Sequence, residues 1–485
     1  MPEVRRRAVA LVVLCAASLM VVLDGSVVAV ALPSIQAELG FSPAGLAWVV
    51  NAYLVAFGGL LLLSGRLGDL LGRRRVFLAG LVVFTASSLV AGLSTDAAVL
   101  VAARFVQGVG GALASAVVLG MIVTMYPEPR AQARAIGVFS FTQASGASIG
   151  LIAGGALTQA LDWHWTFYIN LPIGVAALVL APLVVDADRG RGLRTGIDAL
   201  GAVLVTGGVM LLVYGIVEAG AALPVAGAVL LLAAFVVRQA RARTPLLPLR
   251  LFRVRAISGA NVTMVLMVAG MMGFQFVTAL YLQQVLGLDA LTTGLAFLPA
   301  PVMIAVFSLG LSAKLSARFS PGGVLVGGLV VVAVAFALLT TVPADGSYFV
   351  HVFPALVLMG SGAGAAIPAV MGLAMSGTDP ADAGVASGLI TTTQQVGAAL
   401  GTAVLATAAA ARTAGLVAEG TAAREALASG YRLAYGLSAG FVLLAVVAAS
   451  LILVRRSRTT TVAKELCTAG QGQGQGHGPG QAQAR

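Results

Sequence analysis

Long apolar runs alternate with short polar segments along most of the chain. Fourteen runs approach the length of about 20 residues that a helix needs to cross a bilayer. Apolar residues are continuous within a run and do not alternate, which favours helices over the strands of a membrane barrel. The predicted spans cover residues 8–32, 46–64, 76–95, 98–121, 134–158, 165–185, 197–217, 222–240, 256–281, 292–312, 322–341, 349–371, 384–409 and 432–454.

The composition supports a membrane protein. Of the 485 residues, 59% are hydrophobic and only 10% are charged, whereas a soluble domain has roughly 45–50% apolar and about 25% charged residues. The net charge of +11 comes mainly from basic residues between the apolar runs. That distribution is typical of membrane topology and argues against a nucleic-acid partner.

The basic residues also predict an orientation. Of the 29 Lys and Arg residues, 25 fall on one side of the predicted membrane, three (Arg412, Arg424 and Arg432) on the other, and Arg104 within a span. The positive-inside rule therefore places both termini in the cytoplasm. We expect a multi-pass protein of the cell membrane.

A weak internal repeat predicts the domain organisation. The second span ends in GRLGDLLGRRRVF and the tenth in AKLSARFSPGGVL, so the chain is interpreted as six spans, two inserted spans and six more. The expected all-α fold has six-helix bundles at 1–195 and 246–456, two inserted helices within 196–245, and a disordered cytoplasmic tail at 457–485. Parallel halves of this kind place a binding site between them near the middle of the membrane.

Two charges lie inside spans. Asp24 interrupts LMVVLDGSVVAVALP, and Arg104 lies near the start of the fourth span. Each costs on the order of 3 kcal/mol to insert, so such residues usually face the protein interior and mark ion or substrate paths. Asp24 lies about 24 Å from the cytoplasmic start of its span and Arg104 about 9 Å from the outer face, at 1.5 Å per residue. Both fall in the outer half of the membrane.

A buried carboxylate can carry a proton, because burial favours its neutral form whereas a neighbouring arginine or a cationic substrate favours its charged form. We therefore predict that Asp24 couples protons to transport and that Arg104 is its electrostatic partner. The alternative is that Asp24 only caps or cross-links helices near the outer surface.

The loop GRLGDLLGRRR predicts a cluster that holds one conformation, which we call the cytoplasmic latch. Glycines permit a tight turn, and its carboxylate and guanidinium groups can form charged hydrogen bonds. A simpler interpretation is positive-inside charge with turn glycines. The predicted latch consists of Gly65, Asp69, Gly72, Arg73, Arg74 and, from the next cytoplasmic loop, Glu128.

GRLGDLLGRRRVF resembles the loop signature of the major facilitator superfamily. Five further stretches resemble motifs of its fourteen-helix drug:proton antiporter branch, and their order and spacing cover nearly the whole chain. They are LDGSVVAVALP, RFVQGVGGA, WHWTFYINLPIG, PLLPLRLFRVR and YLQQVLGLDALTTGLAFLP. The resemblance implies proton-driven export of drug-like or antibiotic-like compounds by alternating access.

Glycines recur along one face of the fifth span, where they permit close helix approach. They are Gly137, Gly146, Gly150, Gly154 and Gly155. Their spacing resembles the antiporter motif of the same family, although Leu151 stands where that motif has a proline. Generic small-residue packing explains the same stripe, and both interpretations remain open.

Polar residues in other spans are candidates for the substrate cavity, and each is equally compatible with an interhelical hydrogen bond. They are Asn51, Tyr53, Gln107, Gln143, Asn261, Gln275, Gln394 and Gln395. The substrate is expected to be a small lipophilic molecule, and both neutral and cationic compounds are compatible with this expectation.

We predict no cofactor, no metal and no enzymatic activity. No G-x-x-x-x-G-K-[ST] sequence is present, which favours the proton gradient over ATP as the energy source. Protons, membrane lipid and the substrate are the expected partners of a monomer. The alternatives are a facilitator or importer of a small metabolite on the same fold, a non-transporting membrane sensor, and a membrane enzyme, for which no metal cluster or catalytic triad is evident.

Overall fold

The computed structural model describes residues 3–188, 190, 198–218, 222–242, 245–308, 318–375 and 383–454. The described residues contain helices and connections, and no strand is among them. We number the helices α1 (Glu3–Leu39), α2 (Trp48–Leu71), α3 (Arg73–Gly92), α4 (Ala97–Met125), α5 (Pro129–Ala160), α6 (Trp165–Val184), α7 (Ala199–Val217), α8 (Ala222–Arg241), α9 (Arg255–Val285), α10 (Ala290–Val306), α11 (Pro321–Leu339), α12 (Tyr348–Ala374), α13 (Ala383–Ala418) and α14 (Ala423–Ile452).

All fourteen predicted spans overlap these helices, but only twelve of the helices are long and apolar enough to cross a membrane. The two that fall short within the described residues are α5 and α10. The qualifying apolar part of α5 is only Ile149–Ala160, and α10 is a 17-residue helix interrupted near Pro299. The protein is therefore an all-helical, multi-pass membrane protein with twelve candidate spans, and fourteen crossings stay a prediction.

The helices form two bundles joined by a hairpin. Helices α1–α6 pack against one another, and so do α9–α14, while α7 and α8 form a hairpin that lies against α2 and α13. We call these units the first half, the second half and the inserted hairpin. The predicted boundary near residue 195 and the predicted tail at 457–485 lie outside the described residues.

The two ends of the molecule are named by residues of the first half. The Leu39 end contains the end of α1 and the start of α2, and the Arg73 end contains the end of α2 and the start of α3. Helix α2 ends at Gly72, whose φ of +98° lies in the region that favours glycine. The chain turns there directly into α3.

Glycines allow α3 and α4 to lie in backbone contact. A Cβ added to Gly80 would lie 2.4 Å from the backbone nitrogen of Ala114, and one added to Gly110 would lie 2.4 Å from that of Phe84. No side chain fits at either position. In a lipid environment, where apolar surface alone does not drive helices together, such contacts supply dispersion attraction between helices.

One buried carboxylate closes the inserted hairpin. Asp198 caps α7 by accepting a bond from the Gly201 amide, and it also accepts bonds from Arg238 at 2.9 Å and Gln239 at 2.7 Å on α8. The Gln239 side-chain oxygen accepts the Leu247 amide at 3.1 Å. Burial alone would raise the pKa of Asp198. The hydrogen bonds that its carboxylate accepts from Gly201, Gln239 and Arg238 outweigh that effect and leave the pKa below its ordinary value.

The close α3–α4 contact predicts that a glycine-to-alanine substitution destabilises the protein at the contact and stabilises it at an open helical position elsewhere. Gly110→Ala should lower the free energy of unfolding by about 1–3 kcal/mol, because the added methyl group meets backbone atoms. Gly327→Ala on α11, where a Cβ meets nothing within 4 Å, should raise it by up to about 1 kcal/mol. Thermal unfolding in detergent measures both, and equal shifts would contradict the close contact.

The Asp198 cluster predicts a pH-dependent contribution to stability. Since the folded-state pKa of Asp198 is lowered, its contribution is present above the unfolded-state value of about 3.9 and disappears as the pH falls through the folded value. Asp198→Asn should therefore lower Tm above about pH 5, and the difference should shrink below about pH 4. Asp345→Asn, at an exposed carboxylate, controls for the loss of one negative charge. If the difference in Tm between the wild type and Asp198→Asn stays constant down to pH 3, the lowered pKa of Asp198 does not contribute to stability as proposed.

Candidate functional site

The two predicted intramembrane charges form an ion pair. Asp24 is 0% exposed and Arg104 is 1% exposed, and Nη1 of Arg104 donates to Oδ2 of Asp24 at 2.5 Å. The depth argument from the sequence placed them in one layer without establishing contact. In this structure α1 and α4 bring them together.

Side-chain amides hold the other carboxylate oxygen. Oδ1 of Asp24 accepts bonds from Gln107 and Asn170, both at 2.8 Å. Gln107 follows Arg104 by one helical turn on α4, which places both side chains on one face of the helix. The side-chain oxygen of Gln107 accepts a hydrogen bond at 2.6 Å from Nη1 of Arg104, the nitrogen that also donates to Asp24. Asp24 therefore accepts bonds from one charged and two neutral side chains.

Ser88 on α3 completes the hydrogen-bond network. Its hydroxyl accepts from Gln107 at 2.7 Å and from Asn170 at 3.4 Å. Neither Ser88 nor Asn170 was predicted as a site residue from the sequence. Asn170 lies in the NLPIG stretch at the start of an apolar run. A polar side chain beside or within an apolar run is the signal that identified Asp24, and the same signal indicates Asn170. A buried serine gives no comparable signal.

Helix α2 encloses the arginine. The Val49 carbonyl accepts from Nε of Arg104 at 3.0 Å, and the Tyr53 ring lies 4.5 Å from the guanidinium carbon. The Phe167 ring lies 5.7 Å away. Aromatic faces stabilise a cation in this position. Tyr53 and Gln107, two of the cavity candidates, are buried against the ion pair in this conformation.

The glycine stripe of α5 packs on α1 around Asp24. Added Cβ atoms would lie 2.9 Å from the Val22 side chain at Gly146, 2.8 Å from the Leu23 carbonyl at Gly150, and 2.4 Å from the Val27 carbonyl at Gly154. The stripe therefore brings α5 against the segment that carries the carboxylate. Gly137 lies within α5, and Gly155 faces the second half.

The basic residues of the predicted latch bind within the first half. Arg73 donates to the Gly120 carbonyl of α4 at 3.0 Å and to Asp69 at 3.4 Å, and Arg74 donates to the Val185 carbonyl at 3.0 Å. The loop is thus tied to α4 and to the segment after α6. These bonds do not extend to the second half.

A further acid, besides the predicted Asp69, lies at the latch. Asp188 accepts the backbone amides of Arg73 at 2.8 Å and Arg74 at 3.2 Å, which places a negative charge at the N-terminus of α3. Glu128 is exposed at the start of α5, and within the described part of the chain its carboxylate forms no hydrogen bond or ion pair. Gly72 lies close to Asp188, whereas a Cβ on Gly65 would meet nothing within 4 Å.

Among the described hydrogen bonds, none joins the remaining cavity candidates to Asp24 or Arg104. Asn261 is held on α9 by the Ile257 carbonyl at 2.8 Å and by Thr393 of α13 at 2.7 Å. Asn51 on α2 is fully buried, and neither polar atom of its side chain has a partner. The other candidates are half-buried: Gln143, Gln275, Gln394 and Gln395.

Neutral hydrogen bonds join the two halves at the Leu39 end. Gln283 donates to the Val30 carbonyl at 2.9 Å, and Gln284 donates to the Gln36 side chain at 3.2 Å. Tyr431 of α14 donates to Gln284 at 2.7 Å. Both glutamines lie in a π-helical turn that ends α9.

A second contact at this end joins α5 to α10. The side-chain oxygen of Gln159 accepts the Leu291 amide at 3.2 Å, and a Cβ on Gly155 would lie 2.5 Å from the Ala290 carbonyl. The helices therefore approach to backbone contact. In this conformation the two halves close against each other at the Leu39 end.

The fold and the buried site define a membrane transport protein. No group of three or more His, Cys, Asp or Glu side chains that could hold a metal ion occurs in the described ranges. The family model of the major facilitator superfamily matches residues 14–402. The chain belongs to that family, whose members are transporters and not enzymes.

Curated relatives cover most of the chain. The puromycin resistance protein of Streptomyces alboniger is 38% identical over 466 residues, which are 93% of this chain and 92% of that protein. The cephamycin export protein of Amycolatopsis lactamdurans is 40% identical over 420 residues, 84% and 86% of the two chains. The tetracenomycin C resistance and export protein of Streptomyces glaucescens is 36% identical over 395 residues, 80% and 73%.

Solved structures share the fold at low identity. A bacterial homologue of the human lysosomal transporter Spinster, in an inward-facing and unoccupied conformation, superposes with a TM-score of 0.68 at 16% identity, covering 92% of this chain and 98% of that one. The peptide transporter PepTSo gives a TM-score of 0.68 at 15% identity, covering 94% and 98%. At this identity the likeness concerns the fold alone.

The ion pair predicts non-additive effects on stability. Arg104→Gln should lower the free energy of unfolding by about 3–5 kcal/mol, because it leaves the Asp24 carboxylate buried without a counter-charge. The double variant Asp24→Asn/Arg104→Gln should recover at least half of that loss. Thermal and denaturant unfolding of the purified protein in detergent measures the cycle.

The matched control is Arg432→Gln, which removes one partner of the more exposed pair Arg432–Glu425. Its cost should be about 0–1 kcal/mol. If Arg104→Gln costs no more than Arg432→Gln, or if the double variant is the least stable, the buried pair does not have the energetic role assigned here.

Proposed function

We propose that this protein exports drug-like or antibiotic-like small molecules by alternating access, in exchange for protons. The relatives named for puromycin and tetracenomycin C resistance and for cephamycin export support a small-molecule antibiotic as substrate. The observation that supports proton coupling is the burial of the Asp24 carboxylate, which is 0% exposed. A charge at this depth is rare in membrane helices and typically belongs to an ion path.

The network can hold Asp24 with or without a proton. The ionised carboxylate accepts bonds from Arg104, Gln107 and Asn170. A protonated carboxyl needs an acceptor for its O–H, and the side-chain oxygen of Asn170 has no partner in this structure. Because a carboxamide carries both a donor and an acceptor, rotation of Asn170 would supply the acceptor. The O–H of the neutral acid would then donate to the Asn170 oxygen, which has no partner in the present conformation.

Protonation would change the forces between helices. The neutral acid no longer attracts Arg104 by charge, whereas the Val49 carbonyl and Gln107 still accept from the guanidinium. We infer that α4 then remains attached to α2 and loosens from α1. Helix α1 also bonds to the second half through Val30 and Gln36. A proton on Asp24 would thereby bias the contact between the halves.

Direct competition between substrate and proton at Asp24 requires another conformation. The carboxylate is 0% exposed, and the side chains that bond to it, Arg104, Gln107 and Asn170, all belong to the first half. We therefore propose that the substrate acts on Asp24 through helix positions. A lipophilic substrate need not be cationic under this mechanism.

The proposal includes the predicted topology. Fourteen crossings with both termini in the cytoplasm make the Leu39 end the outer end, and the protein is a monomer of the cell membrane driven by the proton gradient. The contacts at the Leu39 end would then close the outer side in this conformation. Release to the outside requires those contacts to break.

A facilitator or importer of a small metabolite is the alternative function on this fold. It is favoured by Leu151, which stands where the resembled antiporter motif has a proline. Helix α5 runs from Pro129 to Ala160, and Leu151 is buried at 3% exposure. Transport without proton movement would favour this alternative.

Proton coupling is tested in proteoliposomes that contain a pH-sensitive dye. With an imposed proton gradient, puromycin, tetracenomycin C and a cephamycin are added in turn as probes. At least one should evoke proton movement, and Asp24→Asn should abolish that movement because the variant has no titratable group in the network. Asp345→Asn, exposed between α11 and α12, is the matched control and should behave as the wild type.

Two outcomes would overturn the proposal. Proton movement that persists in Asp24→Asn would remove Asp24 from the coupling step. Gradient-independent uptake of a compound, without proton movement for any probe, would establish the facilitator instead.

A further inference from the structure

Asn51 lies in the interface between the halves with its amide unpaired. It is 0% exposed, and both Oδ1 and Nδ2 lack a hydrogen-bond partner. Asn51 precedes Gly58 by two helical turns and therefore lies on the same face of α2. A Cβ on Gly58 would lie 2.5 Å from the Cβ of Gln395 on α13. The same face of α2 continues to Leu62, which contacts Gly388.

The opposing segment of α13 explains why Asn51 is unpaired. The two helices run in opposite directions, since Gly58 meets Gln395 and Leu62 meets Gly388. Asn51 therefore faces the stretch beyond Gln395, where Ala398 and Ala399 offer no polar side chain. The hydroxyl of Thr402 on this face already donates to the Ala398 carbonyl at 2.9 Å. Nothing on α13 there satisfies the amide.

A second unpaired group lies on the same interface. Thr392 is buried, its hydroxyl has no partner, and its carbonyl oxygen would lie 3.5 Å from a Cβ on Gly58. Buried polar groups without partners destabilise the state in which they occur. When α2 and α13 separate, both groups become accessible to water or substrate, and the penalty disappears.

We propose that Asn51 and Thr392 destabilise the closed interface between the halves and thereby favour its opening during transport. The inference rests on the proposed alternating-access function, but it concerns the energy of one conformation and not the coupling ion. The contacts that close the Leu39 end supply the opposing force. A protein that must open this end repeatedly benefits from a closed state that is not too stable.

The proposal predicts that removing polar groups stabilises the closed state and slows transport. Asn51→Leu and the nearly isosteric Thr392→Val should each raise Tm by roughly 1–4 °C. Each should also lower the transport rate by about fivefold, the change in population expected for a shift of this size. If leucine does not fit at position 51, Asn51→Val is used in its place. The double variant should show a larger rise in Tm and a larger loss of transport rate than either single variant.

Two paired residues are the matched controls. Thr402→Val removes a buried hydroxyl that is bonded within α13, and Asn261→Leu removes an amide bonded to Ile257 and Thr393. Neither should raise Tm, and Asn261→Leu should lower it. A rise in the controls equal to that in the test variants would indicate general stabilisation by apolar substitution and would overturn the proposal.

A conformational readout separates this proposal from proton coupling. A short bifunctional thiol reagent should join Gln36→Cys to Gln284→Cys, in a background with Cys15→Ala and Cys467→Ala, more completely when Asn51→Leu or Thr392→Val is also present. All compared proteins lack the Gln36–Gln284 hydrogen bond, so its loss does not affect the comparison. This cross-linking result would stand even if no probe moves protons. Unchanged or lower cross-linking together with unchanged or lower Tm would overturn the proposal, whatever the transport assay shows.

Discussion

The buried ion pair is the constraint on which the first half depends. An aspartate in hydrocarbon is tolerated only with a counter-charge and hydrogen bonds around it. Asp24 obtains them from α4 and α6, Ser88 of α3 orients the amides, and α2 encloses the guanidinium. The glycine face of α5 packs behind α1 at the same level. All six helices of this half are therefore positioned in relation to one carboxylate.

Charged and neutral contacts have different places in the molecule. The described ion pairs at Asp24 and Asp198, and the cap that Asp188 forms on α3, each lie within one structural unit. The described contacts between the halves are neutral: glutamine amides, backbone carbonyls and glycine surfaces. Neutral contacts cost less to break in a medium of low dielectric constant than buried ion pairs do. This division suits rigid halves that separate and rejoin.

The sequence was most informative where the chemistry of a single residue makes that residue conspicuous. Asp24 and Arg104 are conspicuous because charge is costly in an apolar run, and helical rise placed them at similar depth. Ser88 was missed because a serine in a membrane helix commonly bonds to its own backbone. The acids predicted for the latch were Asp69 and, as a further partner, Glu128; Asp188 was missed because it reaches the start of α3 only after the chain has passed through α6. Each of the fourteen predicted spans overlaps a described helix, and twelve of those helices meet the length and apolarity of a membrane span.

The sequence by itself determined the helical class, the positions of the helices and the presence of costly intramembrane charge, because these follow from local hydropathy and from the energy of burying a charge. Only the tertiary structure decided the partners. It orients Asn170 and Gln107 towards one carboxylate oxygen, places the Tyr53 ring over the Arg104 guanidinium, and leaves Asn51 without a partner against α13. Such pairings depend on the rotation and relative height of separate helices, which the periodicity of a single helix does not specify.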